Sequence, residues 1–139
     1  MQSLLKNKGL EREVYVESAG LQPFCLGSPP DIKMQKIAQS HGVVIDDHSK
    51  LFESSYFDAF NVIFCVSKDI VSTIHQMART EQEANKVFIA TEFSVENPMK
   101  DIPYPDYNNS QAVDEIWKQI VNACLGIYNH FLSKKQKRL

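Results

Sequence analysis

Two short apolar runs set the strongest limit on what this chain can fold into. Asn61-Val-Ile-Phe-Cys-Val66 is continuous, of strand length, and suits a parallel strand covered on both faces. Lys86-Val-Phe-Ile-Ala-Thr91 is the next strand candidate. Between them Ser67 has the chemistry of an N-cap, and Ile70, Ile74 and Met77 recur at four and three, on one face of a helix. Strand, helix, strand in that order predicts an α/β fold with a parallel sheet and flanking helices.

The rest of the pattern extends this reading. Residues 1–8 resemble the end of a helix, with Gly9 as its C-terminal cap. Glu13-Val-Tyr-Val-Glu-Ser18 is β-branched and aromatic and predicts a third strand, ended by Ala19-Gly20. Pro29-Pro30-Asp31 opens a helix with Asp31 as N-cap and Ile32, Met34, Ile37 and Ala38 as its stripe, closed by His41-Gly42. A short helical turn is expected between Glu53 and Phe60. Ser110 is expected to cap a long helix whose apolar face holds Val113, Ile116, Trp117, Ile120, Val121, Cys124 and Tyr128. Before it stands Asp101-Ile-Pro-Tyr-Pro-Asp-Tyr-Asn-Asn109, a stiff loop rich in acids and aromatics. Following the strand at 86–91, it falls toward the carboxyl edge, where open α/β sheets bind ligands.

At 139 residues the chain is expected to form one domain, 1–139. A net charge of −2 gives no sign of a nucleic-acid partner, and no apolar run reaches the ~18 residues of a membrane span. Cys25, Cys65 and Cys124 are odd in number and widely spaced, which argues against a disulfide framework and for a reducing cytoplasm, with each cysteine a small buried hydrophobe. His41, His48, His75 and His130 show no ligand spacing, so neither metal nor other cofactor is expected. Asp46-Asp47 follows no apolar strand and reads as a solvated turn; the basic tail from Ser133 reads as a frayed helix end.

An ordered set of motifs resembles the low-molecular-weight protein tyrosine phosphatases. Val16-Glu-Ser-Ala-Gly20 is similar to that family's V-D-S-A-G, Gly27-Ser-Pro-Pro-Asp31 to its G-x-P-P-D, and His41-Gly-Val43 to its H-G-I. Tyr56-Phe-Asp-Ala-Phe-Asn-Val-Ile63 is similar to E-D-F-x-x-F-D-Y-I, and Ile102-Pro-Tyr-Pro-Asp-Tyr107 to I-P-D-P-Y-Y. The resemblance implies dephosphorylation of a phosphotyrosine protein or aryl phosphate through a phosphocysteine intermediate. The nucleophile would sit in a C-x5-R-[S/T] loop, where backbone N–H groups and a helix dipole lower its pKa and the arginine grips the phosphate. An aspartic acid in the acid loop would protonate the leaving phenolate.

The resemblance assigns Asp106 as a general acid that is out of register, because Tyr104 aligns with the family's acid and Asp-Pro has become Pro-Asp; Asp101 is a second candidate. It makes Phe24 and Tyr107 the aromatic walls against a substrate ring. Ser67 stands where active relatives carry an acid.

The signature loop itself is missing. Six residues beyond Cys25, Cys65 and Cys124 stand Asp31, Val71 and His130, and no cysteine precedes Arg12, Arg79 or Arg138 at that distance. The resemblance implies a truncated member that starts inside the family's first helix, through either a degenerate gene or a start placed too late. It also implies loss of a central strand, and so a chain that is poorly stable alone and inactive as given. The alternative is a non-catalytic binding module or remnant.

Overall fold

The computed structural model describes residues 1–133, without the side chain of Cys25. The burial expected of Cys25 and the basic tail from 134 onward lie outside the described residues. The chain divides into two compact units, Met1–Glu53 and Ser54–Leu139.

The second unit carries the sheet. Strands β1 (Ile63–Cys65) and β2 (Val87–Ile89) pair in parallel, with Ile63 opposite Val87, Phe64 opposite Phe88 and Cys65 opposite Ile89. Helix α4 (Lys68–Met77) is the crossover, preceded by α3 (Tyr56–Ala59) and followed by α5 (Glu81–Ala84). Both strands are shorter than their apolar runs. Cys65, Val87 and Ile89 are buried, as is Ile74 of α4. Phe64 and Phe88 alternate to the opposite face and join Phe93 and Phe131 in edge-to-face and tilted ring contacts 5.1–6.4 Å apart. Ser67 caps α4 as its sequence predicts, accepting from Ile70 N at 3.4 Å.

Helix α6 (Ser110–Ile127) continues into a π-helical turn, Tyr128–Leu132. Its cap is Asn109 rather than Ser110: the Asn109 side-chain oxygen accepts from Ala112 N at 3.1 Å. Its buried face is also rotated from expectation. Val113, Ile116 and Tyr128 are buried, but so are Ala123, Gly126 and Ile127, while Val121 is 41% exposed and Cys124 only half-buried. At Gly126 the neighbouring space is filled by backbone, the Phe93 carbonyl and the Ser94 nitrogen.

An ion-pair network ties α3 to α5. Arg79 donates to Glu83 Oε1 from both Nε (2.9 Å) and Nη2 (2.6 Å), and Nη2 also reaches Asp58 at 2.8 Å. Hydrogen bonding to Arg79 holds the buried Glu83 carboxyl below the usual carboxylate range. Lys86 Nζ donates to the carbonyls of Phe57 (2.6 Å) and Phe60 (3.2 Å), closing the exposed end of α3.

In the first unit, α1 (Gln2–Asn7) ends as expected at Gly9, whose φ of +68° reverses the chain without Cβ strain. Leu5 and Leu10 are its buried anchors. Helix α2 (Ile32–Ser40) is capped by Asp31, which accepts from Lys33 N (2.8 Å) and Met34 N (3.3 Å). Ala38 of its expected stripe is fully buried, whereas Ile32 is exposed.

The third strand does not form. Among the described residues, 14–19 enter no ladder, and the pairing nearby is an isolated parallel bridge, Gly20 to Leu51. The composition favours extended backbone, but a strand exists only with a partner, and none is supplied in this unit. Glu17 instead joins Lys50 at 2.8 Å and accepts from the Tyr15 hydroxyl at 2.5 Å. Hydrogen bonding to Lys50 lowers the Glu17 pKa; hydrogen bonding to Glu17 raises those of Tyr15 and Lys50.

Candidate functional site

The acid loop is fastened where α/β folds place their sites, at the carboxyl ends of the parallel strands. Ile102 N donates to Val66 O, just beyond β1, at 2.8 Å. Just beyond β2, the fully buried Thr91 donates from its hydroxyl to Lys100 O at 2.5 Å, and its own carbonyl accepts from Met99 N at 3.3 Å. Asp101 makes two further ties: its carboxylate accepts from Lys68 N at the start of α4 (2.9 Å), and its carbonyl accepts from Gln119 Nε2 of α6 (3.0 Å). Two strands and two helices thus hold the first residues of the loop.

Beyond Ile102 the loop is mostly exposed. Tyr104, in the register of the family acid, is 85% exposed. Asp106 is exposed and turns the chain into α6: its carboxylate accepts from Asn108 N and its carbonyl from Asn109 N, both at 3.0 Å. Tyr107 follows it half-buried. Phe24 belongs to the other unit, in the 3₁₀ turn Pro23–Cys25, and is 81% exposed. Of the three residues assigned from sequence, Asp106 and Tyr107 share one turn; Phe24 lies on a separate body.

The second acid candidate, Asp101, has a structural occupation that its sequence position hid. Its bond to Lys68 N stabilises the positive end of α4, where a carboxylate is favoured. Asp101→Ala is expected to cost about 1–2 kcal/mol, lowering the thermal midpoint by roughly 5 °C; a melt indistinguishable from the parent would refute that role.

The groups with the right atoms for thiol chemistry are poorly placed for it. Cys65 lies inside β1, buried, and desolvation pushes its thiol up to about 11. A thiol so raised is not a nucleophile near neutrality. Arg79 is committed to Glu83 and Asp58. Among the described residues no group of three or more His, Cys, Asp or Glu side chains could hold a metal ion. No helix among them is long and apolar enough to cross a membrane. Two shallow hollows, of about 260 and 300 Å³, both belong to the first unit and share Ser18.

Comparison with known proteins decides the family. A family model described as "Low molecular weight phosphotyrosine protein phosphatase" matches residues 1–138. The chain belongs to that family. It is 28% identical to low molecular weight phosphotyrosine protein phosphatase 2 of Drosophila melanogaster, over 100% of this chain and 81% of that protein. It is 27% identical to the low molecular weight protein-tyrosine-phosphatase PtpA of Staphylococcus saprophyticus, over 99% of this chain and 87% of the relative. Among solved structures, the protein tyrosine phosphatase of Entamoeba histolytica superposes with a TM-score of 0.85 at 22% identity, over 99% of this chain and 86% of that one. The Drosophila arginine phosphatase superposes with a TM-score of 0.84 at 21% identity, over 95% and 85%. These likenesses establish the α/β fold with its parallel sheet and flanking helices as that of the low molecular weight phosphatases.

Proposed function

We propose that this chain, as its 139 residues stand, is a non-catalytic member of the low molecular weight phosphotyrosine phosphatase family. One observation carries the reading: no cysteine is followed six residues later by arginine. Phosphotyrosine hydrolysis by the family's route needs a thiolate to attack phosphorus and an arginine to hold the equatorial oxygens. The thiol of Cys65 and the guanidinium of Arg79 supply neither, for the reasons of burial and pairing given above.

What the chain retains is the other half of such a site. Asp106 is the acid nearest the family position, and its carboxylate is engaged in a turn. Tyr107, on the same turn as Asp106, is an aromatic surface suited to a phenyl ring, and the exposed Phe24 of the first unit is a second such ring by the family resemblance. The retained surface serves binding rather than turnover, with phosphotyrosine proteins as the class of partner. Free Cys65 and Cys124 are consistent with a cytoplasmic setting.

The test is turnover of an aryl phosphate such as p-nitrophenyl phosphate by the purified chain, beside an active relative. No release above the buffer blank is expected. Sustained turnover by these 139 residues would overturn the proposal. Reading the coding DNA upstream of Met1 is the complement: an in-frame C-x5-R-[S/T] there would describe an active longer form acting on phosphotyrosine.

A further inference from the structure

Covalent geometry fixes the backbone in the middle of the acid loop. A proline ring holds its own φ near about −65°, and the residue before a proline is driven out of the helical region. In Ile102-Pro103-Tyr104-Pro105 every residue is either a proline or the residue before one. The whole segment is therefore biased to polyproline II, a helix of about three residues per turn with no internal hydrogen bonds. The structure carries both marks. Ile102 and Pro105, one such turn apart, are half-buried, while Pro103 and Tyr104 between them are exposed. Among the described residues no hydrogen bond reaches the carbonyls of residues 102–105.

Both ends of this segment are held by the second unit itself. Ile102 N is bonded to Val66 O, Asp101 to Lys68 N and Gln119, and Asp106 turns the chain into α6. Between these ties stands a short, stiff rod that presents Tyr104 at 85% exposure. Aromatic-lined grooves read such a rod: proline rings pack between the groove's aromatic side chains, and a tryptophan N–H or tyrosine O–H of the groove donates to the free carbonyls. We propose that residues 102–105 are a ligand for a partner domain of the polyproline-II-reading class, with Pro103 and Tyr104 as the contact residues.

Affinity comes from preorganisation. A segment already held in polyproline II loses little conformational entropy on binding, and the tyrosine ring supplies a large contact area with few rotatable bonds. The contact residues precede Asp106 and Tyr107, so this partner is separate from a phosphotyrosine protein met by the retained half-site. The inference does not depend on whether the chain turns over phosphate.

Nuclear magnetic resonance of the isotope-labelled full chain tests this, with an unlabelled WW, SH3 or EVH1 domain added separately up to submillimolar concentration. At least one of the three should shift the amides of Ile102, Tyr104 and Asp106 saturably and leave those of β2 in place. Pro103→Ala and Tyr104→Ala should each weaken that binding roughly tenfold or more. Both side chains are exposed, so both variants should melt as the parent does. The proposal is overturned if none of the three domains shifts these amides, if the shifts fall elsewhere, or if both variants bind as tightly as the parent. A phosphotyrosine peptide that shifts the same amides, and fails to do so with Tyr104→Ala, would make Tyr104 a wall of a receptor site and overturn its reading as a ligand. Aryl phosphate turnover moves none of these readouts, so this inference and the non-catalytic reading fail separately.

Discussion

Replacing Gly126 by alanine is expected to lower the thermal midpoint of this protein by roughly 10 °C, a loss of about 3 kcal/mol. Gly126 lies in α6 against the chain that leaves β2. A Cβ built there would stand 2.2 Å from Phe93 O, 2.5 Å from Phe93 C and 3.0 Å from Ser94 N. These are backbone atoms, so no side-chain rotation can relieve the overlap. The helix or the loop must move, and Phe93 is part of the ring cluster with Phe64, Phe88 and Phe131. Intrinsic propensity works the other way, since alanine favours a helix interior over glycine by about 1 kcal/mol. The steric term is larger, so the net sign is destabilising. Differential scanning calorimetry decides it; a midpoint within a few degrees of the parent would show that the helix and loop do not approach this closely.

Phe57→Ala is expected to move the urea midpoint of the second unit far below that of the parent. Phe57 is 1% exposed and among the largest fully buried side chains of the protein. Removing a buried phenyl ring costs about 3–5 kcal/mol, a large share of the ~5–15 kcal/mol that holds a typical domain together. The site cannot easily collapse. Lys86 Nζ fixes the Phe57 carbonyl, and the Arg79 pairings with Asp58 and Glu83 fix the neighbouring turns. Phe57→Leu keeps most of the volume and should cost less than about 1.5 kcal/mol. Urea unfolding of the pair checks this: equal midpoints for alanine and leucine would show that Phe57 is not the anchor of α3.

These two positions also mark the limits of reading the chain without its structure. The strand–helix–strand unit was legible because its signals are local. A continuous apolar run must be covered on both faces, Ser67 and Asp31 cap the helices they precede, and Gly9 and Gly42 end helices with φ above +60°. Phe57 stood inside a recognisable family motif. Gly126 carried no such mark, because its reason for being small is a loop more than thirty residues earlier in sequence.

The candidate site divides in the same way. The acid loop, its prolines and its place after a parallel strand could be read directly, as could the absence of a cysteine six residues before an arginine. That Asp101 fastens the loop to α4 could not, since its partner, Lys68 N, lies 33 residues away. The missing third strand has the same origin. Residues 13–18 have the composition of a strand, but composition gives only a local preference, and pairing is a contact between distant segments.

The sequence alone therefore determined the α/β class, the helix starts at Asp31 and Ser67, the family resemblance and the lack of a nucleophile–arginine pair. Each is a property of neighbouring residues. Tertiary structure decided which apolar runs became strands, that α6 buries Ala123 and Gly126 rather than Val121, and that Asp101 and Asp106 hold turns and helix ends. Each of those depends on what the folded chain brings within hydrogen-bond or van der Waals reach.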